Sequence, residues 1–241
     1  MKINFSRLTF IAAVSFIFTS CSSYGRLKIE LDGNPTTGYS WEYKTNPEQI
    51  ISVKEKITYL GENGIVGAPS KFEYTLTPEK DGETDLTFVY RRSFEADSAA
   101  EKIECRIRVE NGRISATGKL DGDWQIVSLK KDNEEQQIFA ATLTVNRQGE
   151  TLYLSGETGI NVFNASLTLK QNLAKDAKDF ALTKAMGSKE EVAFEDIYLQ
   201  LFDGSFTIIP YAKNDKACIK ITNQTSGLSA VFEEAHPAEE N

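Results

Sequence analysis

Apolar and polar residues alternate along most of the first half of the chain. Leu27, Ile29 and Leu31 share one face of an extended run; so do Tyr39, Trp41 and Tyr43; Phe72, Tyr74 and Leu76; Leu86, Phe88 and Tyr90; and Ile103, Cys105, Ile107 and Val109. A period of two is the pattern of half-buried strands. Turn-forming stretches at 46–49, 78–82 and 96–101 separate the runs, and no helix longer than a turn is expected among them. Short strands at these intervals predict a β-sandwich.

A polar segment with two glycines, 110–118, interrupts the pattern, so residues 112–117 are expected to be a linker. Beyond it the alternation resumes around Trp124, Leu143, Leu152, Leu167, Phe206, Ile219 and Val231. Between these runs, Val192, Phe194, Ile197, Tyr198 and Leu201 are spaced closer to 3.6 than to 2, which predicts a helix over 189–202. Ser188 and Glu191 form its capping box. The expectation is a mainly β chain: a sandwich over 21–111, then a mostly β domain with one helix over 118–234. Residues 235–241 read as a disordered tail.

The N-terminus departs from this pattern. Lys2 and Arg7 precede an apolar run over 8–18, shorter than the ~18 residues that a membrane-spanning helix needs. Residues 1–20 therefore read as a signal peptide. Phe18-Thr19-Ser20-Cys21 resembles a bacterial lipobox, which implies cleavage before Cys21 and lipidation of its sulfur. The chain would then sit in the cell envelope, anchored to a membrane and facing the periplasm.

Composition narrows the chemistry. The net charge of −8 over 241 residues argues against a nucleic-acid partner, which requires clustered Lys and Arg. His236 is the only histidine and lies in the tail, so a Ser-His-Asp or Cys-His nucleophile is not expected. No phosphate-binding glycine loop occurs. Cys105 and Cys218 fall on strands in different halves and read as buried free thiols. No metal, no cofactor and no enzymatic activity are expected.

One loop carries recognition chemistry without catalytic chemistry. In Asn34-Pro35-Thr36-Thr37-Gly38-Tyr39-Ser40-Trp41, Pro35 fixes its own φ, the threonines are stiff at χ1 and Gly38 opens a φ denied to other residues. A stiff loop loses little entropy on docking, although the same residues also make an ordinary turn between strands. The stretch resembles the signature loop of the chagasin family, inhibitors of papain-like cysteine proteases. Gly67-Ala68-Pro69 resembles the family's glycine-rich turn, and Arg92-Ser93-Phe94 its Arg-Pro-Trp element, with Ser for Pro and Phe for Trp. The resemblance implies an immunoglobulin-like domain over about 24–111, with Asn34, Pro35, Thr36, Thr37, Gly38, Tyr39, Trp41, Gly67, Ala68, Pro69, Arg92, Ser93 and Phe94 meeting a papain-like protease.

The second half resembles the META domain of HslJ-like lipoproteins in Leu120-Asp121-Gly122-Asp123-Trp124, in the turn over 155–164 and in the stretch over 183–187. Ile160 and Gly187 stand where that family commonly has cysteines. A non-enzymatic envelope-binding or scaffold lipoprotein is the competing function. A carboxylate-dependent hydrolase is a third, for which no spacing speaks, because acidic residues are abundant.

Overall fold

The structure is a computed structural model of the chain. It describes residues 25–59, 70–95, 99–132 and 134–235, with the backbone of 16–21. The first half forms β1 (Phe16–Cys21), β2 (Arg26–Gly33), β3 (Tyr39–Asn46), β4 (Ile51–Tyr59), β5 (Ser70–Pro78), β6 (Gly82–Arg92), β7 (Glu101–Glu110) and β8 (Arg113–Thr117). One sheet runs β1-β2-β5-β4, and a second carries β3, β6, β7 and β8. The alternate apolar positions explain why the sheets face each other: Ile29, Leu31, Phe72 and Tyr74 from the first share one core with Trp41, Phe88 and Ile107 from the second. Each such side chain contributes on the order of 1.5–3 kcal/mol by leaving water.

Strand β4 has no counterpart among the expected runs. Ile51, Val53, Ile57 and Tyr59 do alternate, but Glu55 breaks the apolar face at its centre. That carboxylate, exposed to water, accepts a hydrogen bond from the Tyr74 hydroxyl at 2.7 Å. The backbone of Phe16–Cys21, expected to hold the end of the leader and the first mature residue, runs antiparallel to β2; residues 1–15 lie outside the described residues, as do 236–241 of the expected tail.

Residues 113–117 are a strand, where a linker was expected. Asn111 and Gly112 both have positive φ, 51° and 70°, and β8 folds straight back on β7 through the pair Glu110–Arg113. Asn-Gly with two left-handed residues is a two-residue hairpin turn, so the glycines that suggested a domain break close a hairpin instead.

The second half contributes β9 (Gly122–Lys131), β10 (Glu134–Glu135), β11 (Thr142–Gln148), β12 (Thr151–Glu157), β13 (Val162–Lys170), β14 (Leu173–Lys175), β15 (Lys178–Leu182), α1 (Lys189–Leu199), β16 (Ser205–Lys213), β17 (Lys216–Asn223) and β18 (Leu228–Glu234). Among the described residues, β9, β11, β12, β13, β14, β16, β17 and β18 pair in a closed ring, so this half is a barrel. Its interior holds Trp124, Phe163, Phe206, Ile221 and Phe232, and α1 adds Phe194 and Tyr198. The helix begins at the expected capping box: Ser188 Oγ accepts from the Glu191 N–H, and the Glu191 carboxylate accepts from the Ser188 N–H. It tightens into a 3-10 turn over Gln200–Phe202. Glu195 on α1 is buried, accepting from Asn161 Nδ2 at 3.0 Å and from the Thr158 hydroxyl.

The two halves are continuous. Ile103 and Glu104 of β7 pair with Lys213 and Ala212 of β16, while β7 from Arg106 onwards pairs with β8 on the same edge. Where β8 and β16 diverge, Asn172 fills the gap. Its Nδ2 donates to the carbonyls of Ala116 (2.9 Å) and Ile208 (3.0 Å), and its Oδ1 accepts from the Ala116 N–H at 2.8 Å. Ile209, Tyr211 and Cys218 on the outside of the barrel belong to the core of the first half. Tyr211 pairs with Cys218 on one side, and its strand β16 meets the Cys105 strand on the other. The two thiols are thus two strand spacings apart, roughly 9–10 Å, beyond disulfide reach. Both are free and buried, and burial pushes both thiols up, Cys218 to about 11.

The junction also buries charge. Lys220 on the outer face of the barrel is 1% exposed. Burial drives its ammonium down to about 7; Asp32 and Glu30 oppose the drop, while Lys130 and Lys71 reinforce it. A folded-state value below the unfolded one means that the protonated amine costs stability. The cost is full below about pH 7 and fades as pH rises towards about 10.

This junction yields two expected outcomes. Asn172→Ala leaves a buried N–H and two carbonyls without partners and lowers stability by about 1–3 kcal/mol, read as a lower urea midpoint for the whole chain. Lys220→Met raises stability below pH 7 by about 1–4 kcal/mol. That gain shrinks between pH 7 and 10, as urea titrations at several pH values will show.

Candidate functional site

The end of the first half is built where the two sheets exchange chain. Gly33 closes β2 opposite Ser70, and Tyr39 opens β3 opposite Arg92. Between them Pro35–Thr37 form one 3-10 turn, ended by Gly38 at φ 80° and ψ 0°. Such a φ favours glycine. A Cβ at Gly38 would also stand 3.2 Å from the Phe94 ring, so a side chain here would strain the backbone and displace that ring.

The turn is tied internally. The Thr37 hydroxyl donates to the Asn34 carbonyl at 2.6 Å, the Thr36 hydroxyl to Asn34 Oδ1 at 2.5 Å, and the Gly38 N–H to the Pro35 carbonyl at 3.0 Å. From beneath, Tyr90 Oη accepts the Asn34 N–H at 2.7 Å. Burial raises the Tyr90 phenol, so it stays protonated. Thr36, Thr37 and Gly38 are exposed, presenting a short polar ridge already fixed in shape.

Phe94 lies beside this ridge with 72% of its surface in water, in a turn closed by the bond from the Glu95 N–H to the Arg92 carbonyl at 3.1 Å. An exposed aromatic of this size on a tight turn is an anchor available to a partner. Ser93 beside it is also exposed. Arg92 is held against its own surface: its guanidinium sits 4.7 Å above the Tyr39 ring and pairs with Glu95 at 3.1 Å. It therefore shapes the turn from inside. Tyr39 stacks on Tyr90 with centroids 5.2 Å apart.

Trp41, expected among the contact residues, is 3% exposed. Its indole N–H donates to the Asp32 carbonyl at 3.0 Å and its ring lies 5.0 Å from Tyr90. A residue buried in this way supports the loop and does not meet a partner. Gly67, Ala68 and Pro69 lie outside the described residues. The structure therefore brings together Asn34–Gly38, Tyr39 and Arg92–Phe94, with Trp41 as their floor. Asp32 and Tyr90 belong to this constellation without having been expected. Tyr90 carried only a strand signal, and Asp32 none, since its role rests on contacts with a distant strand.

Catalytic groups do not converge here. Among the described residues no cluster of three His, Cys, Asp or Glu could hold a metal ion, and both described thiols lie in the core.

Residues 22–109 match the model of the chagasin family peptidase inhibitors, I42. Amoebiasin-1 of Entamoeba histolytica is 30% identical over 83 residues, which is 34% of this chain and 80% of that protein. The crystal structure of the cysteine protease inhibitor EhICP2 from Entamoeba histolytica is likewise 30% identical, with a TM-score of 0.31, covering 34% of this chain and 77% of that one. The chain belongs to the chagasin family of peptidase inhibitors.

Proposed function

We propose that the chain is a reversible inhibitor of papain-like cysteine proteases, acting through the first half as an immunoglobulin-like domain. The observation that carries this is the exposed, internally bonded turn of Pro35–Thr37 with Phe94 against Gly38. The turn enters the active-site cleft, and Thr36, Thr37 and Gly38 lie across the catalytic cysteine. Its bonds are made in the free protein, so little ordering entropy is lost on docking. The 3-10 turn is not an extended strand, so no peptide bond lies in the register for cleavage and the inhibitor survives intact. Phe94 grips one rim of the cleft.

The same reading makes the chain a lipoprotein. Cleavage before Cys21 removes all of β1 but Cys21 with the leader, and β2 becomes a sheet edge next to the lipidated residue. The second half is a META-like module of the envelope. Its support is local: a Cβ on Gly187 would stand 2.7 Å from Ile160 Cγ2, so the two positions that carry cysteines in that family lie side by side.

Steady-state inhibition of a panel of papain-like proteases by the full chain tests the main proposal. Wild type inhibits competitively and is recovered uncut. Thr37→Glu abolishes binding, because its charge is buried in the cleft without a partner. Phe94→Ala weakens it by about 1–3 kcal/mol. A folded wild type that inhibits none of the panel at micromolar concentration overturns the proposal in favour of an envelope-binding module. For the anchor, Cys21→Ala leaves an unprocessed chain in the aqueous phase of a detergent partition. Wild-type mature protein that begins elsewhere and stays in that phase overturns lipidation.

A further inference from the structure

The barrel touches the first half at the roots of both binding loops. Asp32 lies two residues before Asn34, and its carboxylate faces Lys130 of β9, with Oδ2 3.7 Å from Nζ. Lys130 is held in turn by Glu135 of β10 at 3.1 Å, and only 10% of its side chain is exposed. The lysine is withdrawn from water while Asp32 keeps 28% of its side chain exposed, so the pair is only partly shielded from screening. The carbonyl of Asp32 also receives the Trp41 indole. A strand of the barrel therefore fixes the residue from which the 34–38 turn springs.

The second root is fixed independently. The loop after Phe94 returns to the sheet at Glu101 and Lys102, the first residues of β7. The turn between β16 and β17 sits beneath them. Asn214 Oδ1 accepts the Lys102 N–H at 2.8 Å, and the Asn214 N–H donates to the Lys102 carbonyl at 2.9 Å. Lys213 Nζ lies 3.4 Å from the Glu101 carboxylate, and Asp215 lies 3.6 Å from Lys102 Nζ. Asn214 and Asp215 both have positive φ, 48° and 65°, which sets the hairpin turn in one shape.

The two roots converge on one point. Glu101 pairs with Tyr90 across the β6–β7 ladder, and the Tyr90 hydroxyl holds the Asn34 N–H.

We propose that the barrel is the splint of the inhibitory edge, with Lys130, Lys213 and Asn214 as positioning residues that fix the spacing between the 34–38 turn and the Phe94 turn. This inference rests on the protease-binding reading of that edge. It assigns a role to the second half: two loops from different sheets must meet one cleft at once, and a fixed spacing preserves the gain that a stiff loop offers.

The test uses the full chain as wild type, Lys130→Met, Lys130→Arg and Asn214→Ala. Amide hydrogen exchange is followed by mass spectrometry in peptides covering 33–40 and 90–102. Lys130→Met accelerates exchange in the first peptide and Asn214→Ala in the second, by about ten-fold, while peptides from β11 to β13 are unchanged. Lys130→Arg keeps the charge and exchanges like wild type. In inhibition assays the two loosening variants lose about ten-fold in affinity, chiefly through faster dissociation, and Lys130→Arg does not. Unchanged exchange in both loops overturns the splint. So does unchanged affinity in variants whose loops exchange faster. If wild type inhibits no protease, the protease reading falls by that result, and the exchange data alone decide whether the barrel holds these loops. Asn214→Ala replaces no charge, so it decides the question even if Lys130→Met fails to fold.

Discussion

Everything in this molecule turns on how one edge of β7 is shared. Two strands claim it, β16 along Ile103 and Glu104 and β8 from Arg106 onwards, and at their parting the backbone of Ala116 would face a dry gap. The Asn172 amide fills that gap with two donated bonds and one accepted bond. Unpaired backbone groups in such a place are costly, so one side chain lets a hairpin and a barrel strand meet the same edge. Because they meet, the sheet runs from the barrel to the binding edge, and Tyr211 and Cys218 pack into the core of the inhibitor half.

Much of this was legible in the sequence. Alternation marked β2, β3, β5, β6 and β7, since their inward faces are mostly apolar. The helix start was legible because Ser188 and Glu191 sit at the required spacing, and the 34–38 loop because Pro, Thr and Gly each act locally. What escaped depends on partners distant in the chain. Glu55 hid β4, because the Tyr74 hydroxyl that satisfies it comes from another strand. Asn111-Gly112 reads as punctuation between domains, although the dipeptide itself favours a hairpin. Trp41 looks like a contact because it belongs to the motif, yet burial makes it the floor. Nothing near Lys130 or Asn214 in the chain reveals that they reach the roots of the two loops, and ring closure through β14 and β16 is a property of the whole second half.

On the proposed reading, inhibition requires little chemistry of this site. The hydroxyls of Thr36, Thr37 and Tyr90 are engaged within the loop or with its backbone. What remains for a partner is shape, one aromatic ring and a backbone set in advance. The dense hydrogen bonding of the free turn and the exposure of Phe94 are therefore complementary: one limits the entropy lost on docking, and the other supplies apolar surface.

The charge along β4 bears on crowding. An open sheet edge is a template on which a second chain can add a strand, and molecules held side by side at high density would meet at such edges often. A strand laid along β4 would have to run past the exposed charges of Lys54, Glu55 and Lys56, and charged side chains on an edge discourage such pairing. The residues that blurred the strand in the sequence thus make the folded edge a poor template for a second chain.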